Sequence, residues 1–186
     1  MRLQAIAFLV PYVMSLAITT GVGMLAWGRR HAQAGTRFFA LYAIAEASMT
    51  LGYIVELLSP TLEGKVFWDN TQFIGMFAAP IFGLLFVLSY TGRVSPRPWR
   101  LAGGLGIIPV LSLALIFTDR LHGLVRAESM ALIASKPFPA LTYDFTLTFI
   151  IMAVYVSLLI LVTVSLLLFE TTHARPPFRS QKIILT

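Results

Sequence analysis

Five apolar runs, each near the length that crosses a bilayer, limit this chain to very few folds. A helix rises ~1.5 Å per residue, so about 20 residues cover the ~30 Å hydrocarbon layer. The runs predict helices over about 4–27, 36–58, 68–91, 101–117 and 144–169. In lipid a backbone must satisfy its own hydrogen bonds, and no strand alternation or fixed repeat stands out. The expected fold class is therefore all-α, a polytopic helical membrane bundle of about five transmembrane helices. Composition agrees, with 12% charged residues against about 25% in soluble domains.

The basic residues fix an expected orientation. Nine Lys/Arg fall in one set of connections (29, 30, 37, 93, 97, 100, 175, 179 and 182). Five fall in the other (2, 65, 120, 126 and 136), spread over more residues. The positive-inside rule then puts the amino end outside and the carboxyl end in the cytoplasm, with an outer loop over 118–143 and a cytoplasmic linker over 170–182. The first run is longer than a signal-peptide core and its stronger basic pair, Arg29 and Arg30, follows it, so it reads as a retained span. The net charge of +6 sits in short clusters between apolar runs, which speaks for topology and against nucleic-acid binding. The apolar start at Ile183–Leu185 suggests that the sequence belongs to a longer chain.

Two acids lie in the second run. A carboxylate at a helix centre costs about 2.5–3.5 kcal/mol, and each Leu, Ile, Phe or Val returns about 0.3–0.6. The run can therefore insert with Glu46 facing protein or water, on a stripe with Thr50 and Tyr53. Glu46 is either a ligand or proton site or an interhelical hydrogen bond. Glu56, near the outer end, is expected to snorkel to water. Across the connection its expected neighbours are Lys65, Trp68, Asn70 and Gln72. With His122 and Asp144 on the same side, these residues form a candidate extracytoplasmic ligand pocket. The bland alternative is an interfacial belt around Trp68. Gly75, Ala79 and Gly83 recur every four residues on the third run, a spacing that permits close helix packing, and Pro80 beside them implies a kink that serves as hinge or shape.

Several chemistries fall away. Cysteine is absent, so no Cys-based metal site exists. His31, His122 and His173 all read as loop residues, so no haem clamp is expected, and the three lysines read as loop or linker residues. Gly103, Gly104 and Gly106 open a membrane run and not a strand–turn–helix, so no phosphate cradle is expected. Neither a catalyst, a cofactor nor a metal is anticipated.

The run from Leu51 to Arg93 resembles the N-terminal seven-transmembrane sensory region of bacterial membrane histidine kinases. The likeness rests on Glu56-Leu57 closing the second helix, Lys65 and Trp68 opening the third, the mid-helix Pro80 and the Tyr90-Thr91-Gly92 exit. Ile107 to Leu124 is similar to that family's fourth helix, with Thr118, His122 and Leu124 as its outer element. The resemblance implies a multi-pass module of the bacterial inner membrane that detects an extracytoplasmic or membrane signal. It implies relay to a cytoplasmic output domain in cis or to a partner kinase, and it admits a small ligand and a homodimer as partners beside the lipid bilayer. Only about five of the family's seven helices are recognisable. A rival reading is a small transporter or channel subunit using Glu46 as an intramembrane acid; a purely structural subunit is the third.

Overall fold

A computed structural model describes residues 2–31, 35–93, 96–126 and 130–173. Its helices are α1 (Arg2–Gly28), α2 (Thr36–Leu58), α3 (Leu62–Tyr90), α4 (Pro98–Phe117) and α5 (Leu147–His173). All five are long and apolar enough to cross a membrane. Burial decides what surrounds them: the apolar window of α3 is 56% buried, but those of α4 and α5 are 17% buried and that of α1 is uncovered. Helices this apolar with so little protein over them are solvated by lipid. The chain is an all-α, multi-pass membrane protein.

The bundle is arranged around α3, which packs against α2, α4 and α5, while α1 leans on α2. Two apolar clusters stack along it. One joins Phe73 and Phe77 to Ile116, Val125, Met152 and Val156; the other joins Ile81, Leu84 and Leu85 to Phe38 and Leu159. At Gly75 the backbones of α2 and α3 come closest. A Cβ built there would strike the Ala45 carbonyl oxygen and lie 2.9 Å from Ser48 Oγ and 3.1 Å from Met49 Cβ. Ala79 is buried one turn on. Gly83 faces the Tyr42 ring at 3.5 Å, an ordinary contact distance.

Proline also shapes the packing. Pro109 has no N–H to give the carbonyl of Leu105, four residues earlier in α4. That carbonyl is not left bare: the Tyr155 hydroxyl of α5 donates to it at 2.5 Å. A gap in one helix ladder is thereby closed by the neighbouring helix, as a lipid-facing bundle requires.

Three expectations need correcting here. The third helix begins at Leu62 and not near Trp68. Thr61 caps it, its side chain accepting from Gly64 N–H at 3.1 Å, and Glu63 lies in the first turn where the helix dipole favours an acid. Its 29 residues extend ~44 Å, well beyond ~30 Å of hydrocarbon, so the polar first turns stand near or past the membrane surface. The stretch 118–143 does hold strands. After a 3-10 turn at Asp119–Leu121 comes an antiparallel pair, β1 (Ala131–Ile133) and β2 (Ala140–Thr142), in register Ala131↔Thr142. Strands of three residues are too short to show alternation in sequence. This hairpin meets the amino-terminal half of α1, where the Phe138 ring lies 6.1 Å from that of Phe8. At the opposite end of the bundle, α5 continues to His173, so the linker expected from 170 begins inside a helix. Its residues 174–182 lie outside the described residues.

A buried ion cluster as the candidate ligand site

The hairpin end of α3 carries most of the buried charge among the described residues. Lys65, in the first turns of α3, is fully buried. Its ammonium donates to the Glu56 carbonyl at 2.7 Å, to Glu56 Oε1 at 3.3 Å and to the Leu57 carbonyl at 3.5 Å. Three protons thus meet three acceptors. Two of these are last-turn carbonyls of α2, at the negative end of its dipole, the Glu56 carbonyl also accepting from the N–H of the C-cap Ser59 at 3.1 Å. Lys65 therefore closes α2 from the next helix.

One turn along α3, Asp69 and Asn70 receive Arg126 from the loop after α4. Arg126 Nη2 donates to Asp69 Oδ2 and Nη1 to Asn70 Oδ1, each at 2.6 Å. Arg126 is only 1% exposed. Its guanidinium also lies over the rings of Tyr143, at 4.7 Å, and Phe73, at 5.6 Å. The Tyr143 hydroxyl donates to Asp69 Oδ2 at 3.1 Å. A buried arginine needs a carboxylate and donors met on every side, and this arrangement supplies most of them.

Local chemistry delivers Arg126 to that spot. The buried Asp119 carboxylate accepts from the backbone N–H groups of Val125, at 2.8 Å, and Arg126, at 3.0 Å. Its acceptors thereby turn the chain back toward α3. Thr146, just before α5, shares its single hydroxyl proton between the carbonyls of Leu124, at 2.5 Å, and Val125, at 2.8 Å. The loop is thus fastened to both helices it joins. Two cavities flank the cluster. One, about 250 Å³, is lined by Val66, Phe67, Asn70, Ile116, Asp119, Arg126 and neighbours. The other, about 240 Å³, is lined by Glu56, Asp69, Leu141, Thr142, Tyr143 and Phe145.

Tyr143 offers a check on this burial. Desolvation, with the Asp69 carboxylate adding to it, pushes the phenol up to about 12 from 10.0. A raised folded pKa means that the stabilisation is whole below pH 10 and is lost as pH rises through about 12. The ultraviolet tyrosinate signal missing from Tyr143→Phe is accordingly expected to rise only above pH 11, one unit past the ordinary phenol value. A missing component centred at the ordinary value would show Tyr143 to be open to solvent.

A family model described as the N-terminal 7TM region of histidine kinase matches residues 11–186. The chain belongs to this family. No curated protein and no solved structure matches it significantly. The 7TM histidine-kinase region is a membrane sensory region, and five of its spanning helices lie among the described residues.

Within the 7TM histidine-kinase region, the sequence-predicted residues divide. Glu56 and Asn70 lie at the cluster, and Gln72 is a neighbour of Glu56. Glu56 does not snorkel to water as expected: it is 8% exposed and paired with its expected neighbour Lys65. Lys65 is correspondingly a helix residue and not a loop one. His122 sits at the edge, where Leu124 N–H donates to Nδ1 at 3.1 Å and Nε2 meets Thr118 Oγ1 at 3.0 Å. The Thr118, His122 and Leu124 element is thus a local turn closure after α4. Trp68 packs on Phe67, and Asp144 is exposed. Glu46 is remote, half-buried in mid-α2 next to Tyr42. Sequence reasoning overlooked Asp69, Asp119, Arg126 and Tyr143. The available signal was a lone arginine and two acids at the ends of apolar runs, where an unpaired charge is costly.

Proposed function

We propose that the chain detects a signal at the hairpin end of the bundle and relays it along α3 to a cytoplasmic output module. The observation that carries this reading is the bridge from Arg126 to Asp69 and Asn70, which ties a loop beside two cavities to the central helix. At the other end of α3, Arg93 pairs with Glu170 of α5 at 2.6 Å and lies 5.2 Å over the Phe169 ring. A single helix therefore runs from the cavities to the last described turn of α5. A ligand shifts such a bundle only by binding one packing better than another. Pro80, buried within α3, with Gly75 and Gly83 on either side, is the proposed place of flexure.

This function sets the hairpin end outside a bacterial inner membrane and the arginine-rich end inside. The native chain lacks cysteine, so single cysteines can report topology without background. Glu63→Cys, whose native side chain is 83% exposed, is expected to react with an impermeant thiol reagent on intact cells. Arg97→Cys is expected to stay protected until the membrane is opened. The reverse pattern would overturn the orientation.

The signalling test joins the chain to a cytoplasmic kinase module and compares autophosphorylation in wild type, Asp69→Asn and Glu56→Gln at equal membrane levels. Coupling of about 1–3 kcal/mol predicts a change of roughly fivefold or more in at least one variant. Unchanged phosphorylation in both would remove the cluster from the signalling path.

A further inference from the structure

We propose that His122 is a proton sensor, whose charging at the hairpin end of the bundle rearranges the turn that holds Arg126 against α3. This rests on the sensory reading above and names a regulation of that same site. The hydrogen bonds around the neutral ring permit one tautomer. Leu124 N–H donates to Nδ1 at 3.1 Å, so Nδ1 carries no proton of its own. The Thr118 hydroxyl proton goes to the Ala114 carbonyl at 2.6 Å, which leaves Oγ1 to accept from Nε2–H at 3.0 Å. An added proton has one place to go. At Nδ1 it stands donor against donor with Leu124 N–H.

The charged ring has a new partner within a short movement. Asp119 Oδ1 lies 3.6 Å from Nδ1, too far for a hydrogen bond until the ring turns toward it. That same oxygen accepts from Val125 N–H at 2.8 Å, while Oδ2 accepts from Arg126 N–H at 3.0 Å. Charging His122 therefore withdraws the acceptor of Leu124 and sets a competitor on the acceptor of Val125. These are the two residues immediately before Arg126. Histidine is the side chain that changes charge between about pH 5 and 8, and water reaches this one, its side chain being 25% exposed. The charged groups on the surrounding elements are Asp119, Arg120 and Arg126 of its own connection, Glu63 and Asp69 of α3, and Asp144 before α5. Glu63 is turned to Arg120 at 3.8 Å and Asp69 to Arg126 at 2.6 Å, while Asp119 is the acid beside the ring.

The test titrates the intact chain in micelles by ¹⁵N NMR, following the His122 ring and the amides of Leu124, Val125 and Arg126. At about pH 8 the ring is expected to hold its proton on Nε2, with Nδ1 bare. On acidification toward about pH 5 the three amides are expected to shift with the midpoint of the ring itself. His122→Gln is expected to abolish that common step while the Trp68 indole signal stays in place. A second arm puts the kinase fusion in vesicles buffered separately on each side, with the kinase side held constant. Acidifying the hairpin side is expected to change autophosphorylation about fivefold or more in wild type and to leave His122→Gln unmoved. A ring proton on Nδ1 at the alkaline end, amides that ignore the ring, or a phosphorylation response that is absent or survives His122→Gln each overturns the inference. If any of these is found while Asp69→Asn still alters phosphorylation, the sensory reading stands and only proton sensing fails.

Discussion

Arg126→Met is expected to destabilise the folded chain by about 3–5 kcal/mol, measured as thermal or denaturant unfolding in micelles. Removing one partner of a buried ion pair leaves the other charge in a poor solvent, and that penalty exceeds the net worth of the pair itself. Here the stranded group is Asp69, whose side chain is 18% exposed. Asn70 loses its 2.6 Å donor in the same step. The pair can be taken out with less damage by also replacing Asp69 with leucine and Tyr143 with phenylalanine, since then no charge or hydroxyl is stranded. That triple variant is expected to recover most of the loss. Arg120→Met is the contrast. Its partner Glu63 is 3.8 Å away and both side chains are mostly exposed, at 62% and 83%, so the change is expected within about 0–1 kcal/mol. Equal effects at 120 and 126 would show that the guanidinium of Arg126 does not hold the loop to α3.

Gly75→Ala is expected to be the most damaging single methyl that can be added to α3. The new Cβ meets the Ala45 backbone, which cannot turn aside as a side chain can, and crowds Ser48 and Met49. Overpacking of this kind costs about 1–3 kcal/mol, and the top of that range or beyond applies where the obstacle is main chain. Gly83→Ala on the same helix should do the opposite. Its Cβ would rest 3.5 Å from the Tyr42 ring, and relief of glycine's helix penalty gives up to about 1 kcal/mol. Parallel unfolding curves for the two variants check both signs. Loss of stability at 83 as large as at 75 would mean that the helices approach along the whole stripe.

The membrane character and the helix number among the described residues were legible in the sequence because lipid imposes a length and a polarity on every span. Those constraints act on ~20-residue windows, so single insertions or caps scarcely blur them. The start of α3 was legible in principle, at Thr61 with Glu63 behind it, but the link's polar composition concealed a helical turn. The cluster was not legible. Arg126 and Asp69 are 57 positions apart, and what joins them is a turn set by Asp119 and the docking of α5 through Thr146. In sequence, Arg126 is one more basic loop residue. Lys65 misleads in the same manner, because its partners are backbone carbonyls of the preceding helix. Glu46, the acid most conspicuous in sequence, lies away from the hairpin end.

The bond from Tyr155 to the Leu105 carbonyl exists because Pro109 withholds a proton that any other residue would have supplied. The imino acid thereby exports an acceptor from the spine of α4 and gives α5 an address to find in a solvent that otherwise offers no directional cue. Restoring an ordinary amide at 109 would return the carbonyl to its own ladder. Tyr155 would be left seeking a partner in hydrocarbon. Positions 109 and 155 thus form a lock and key, so that neither can be exchanged without consequences for the other.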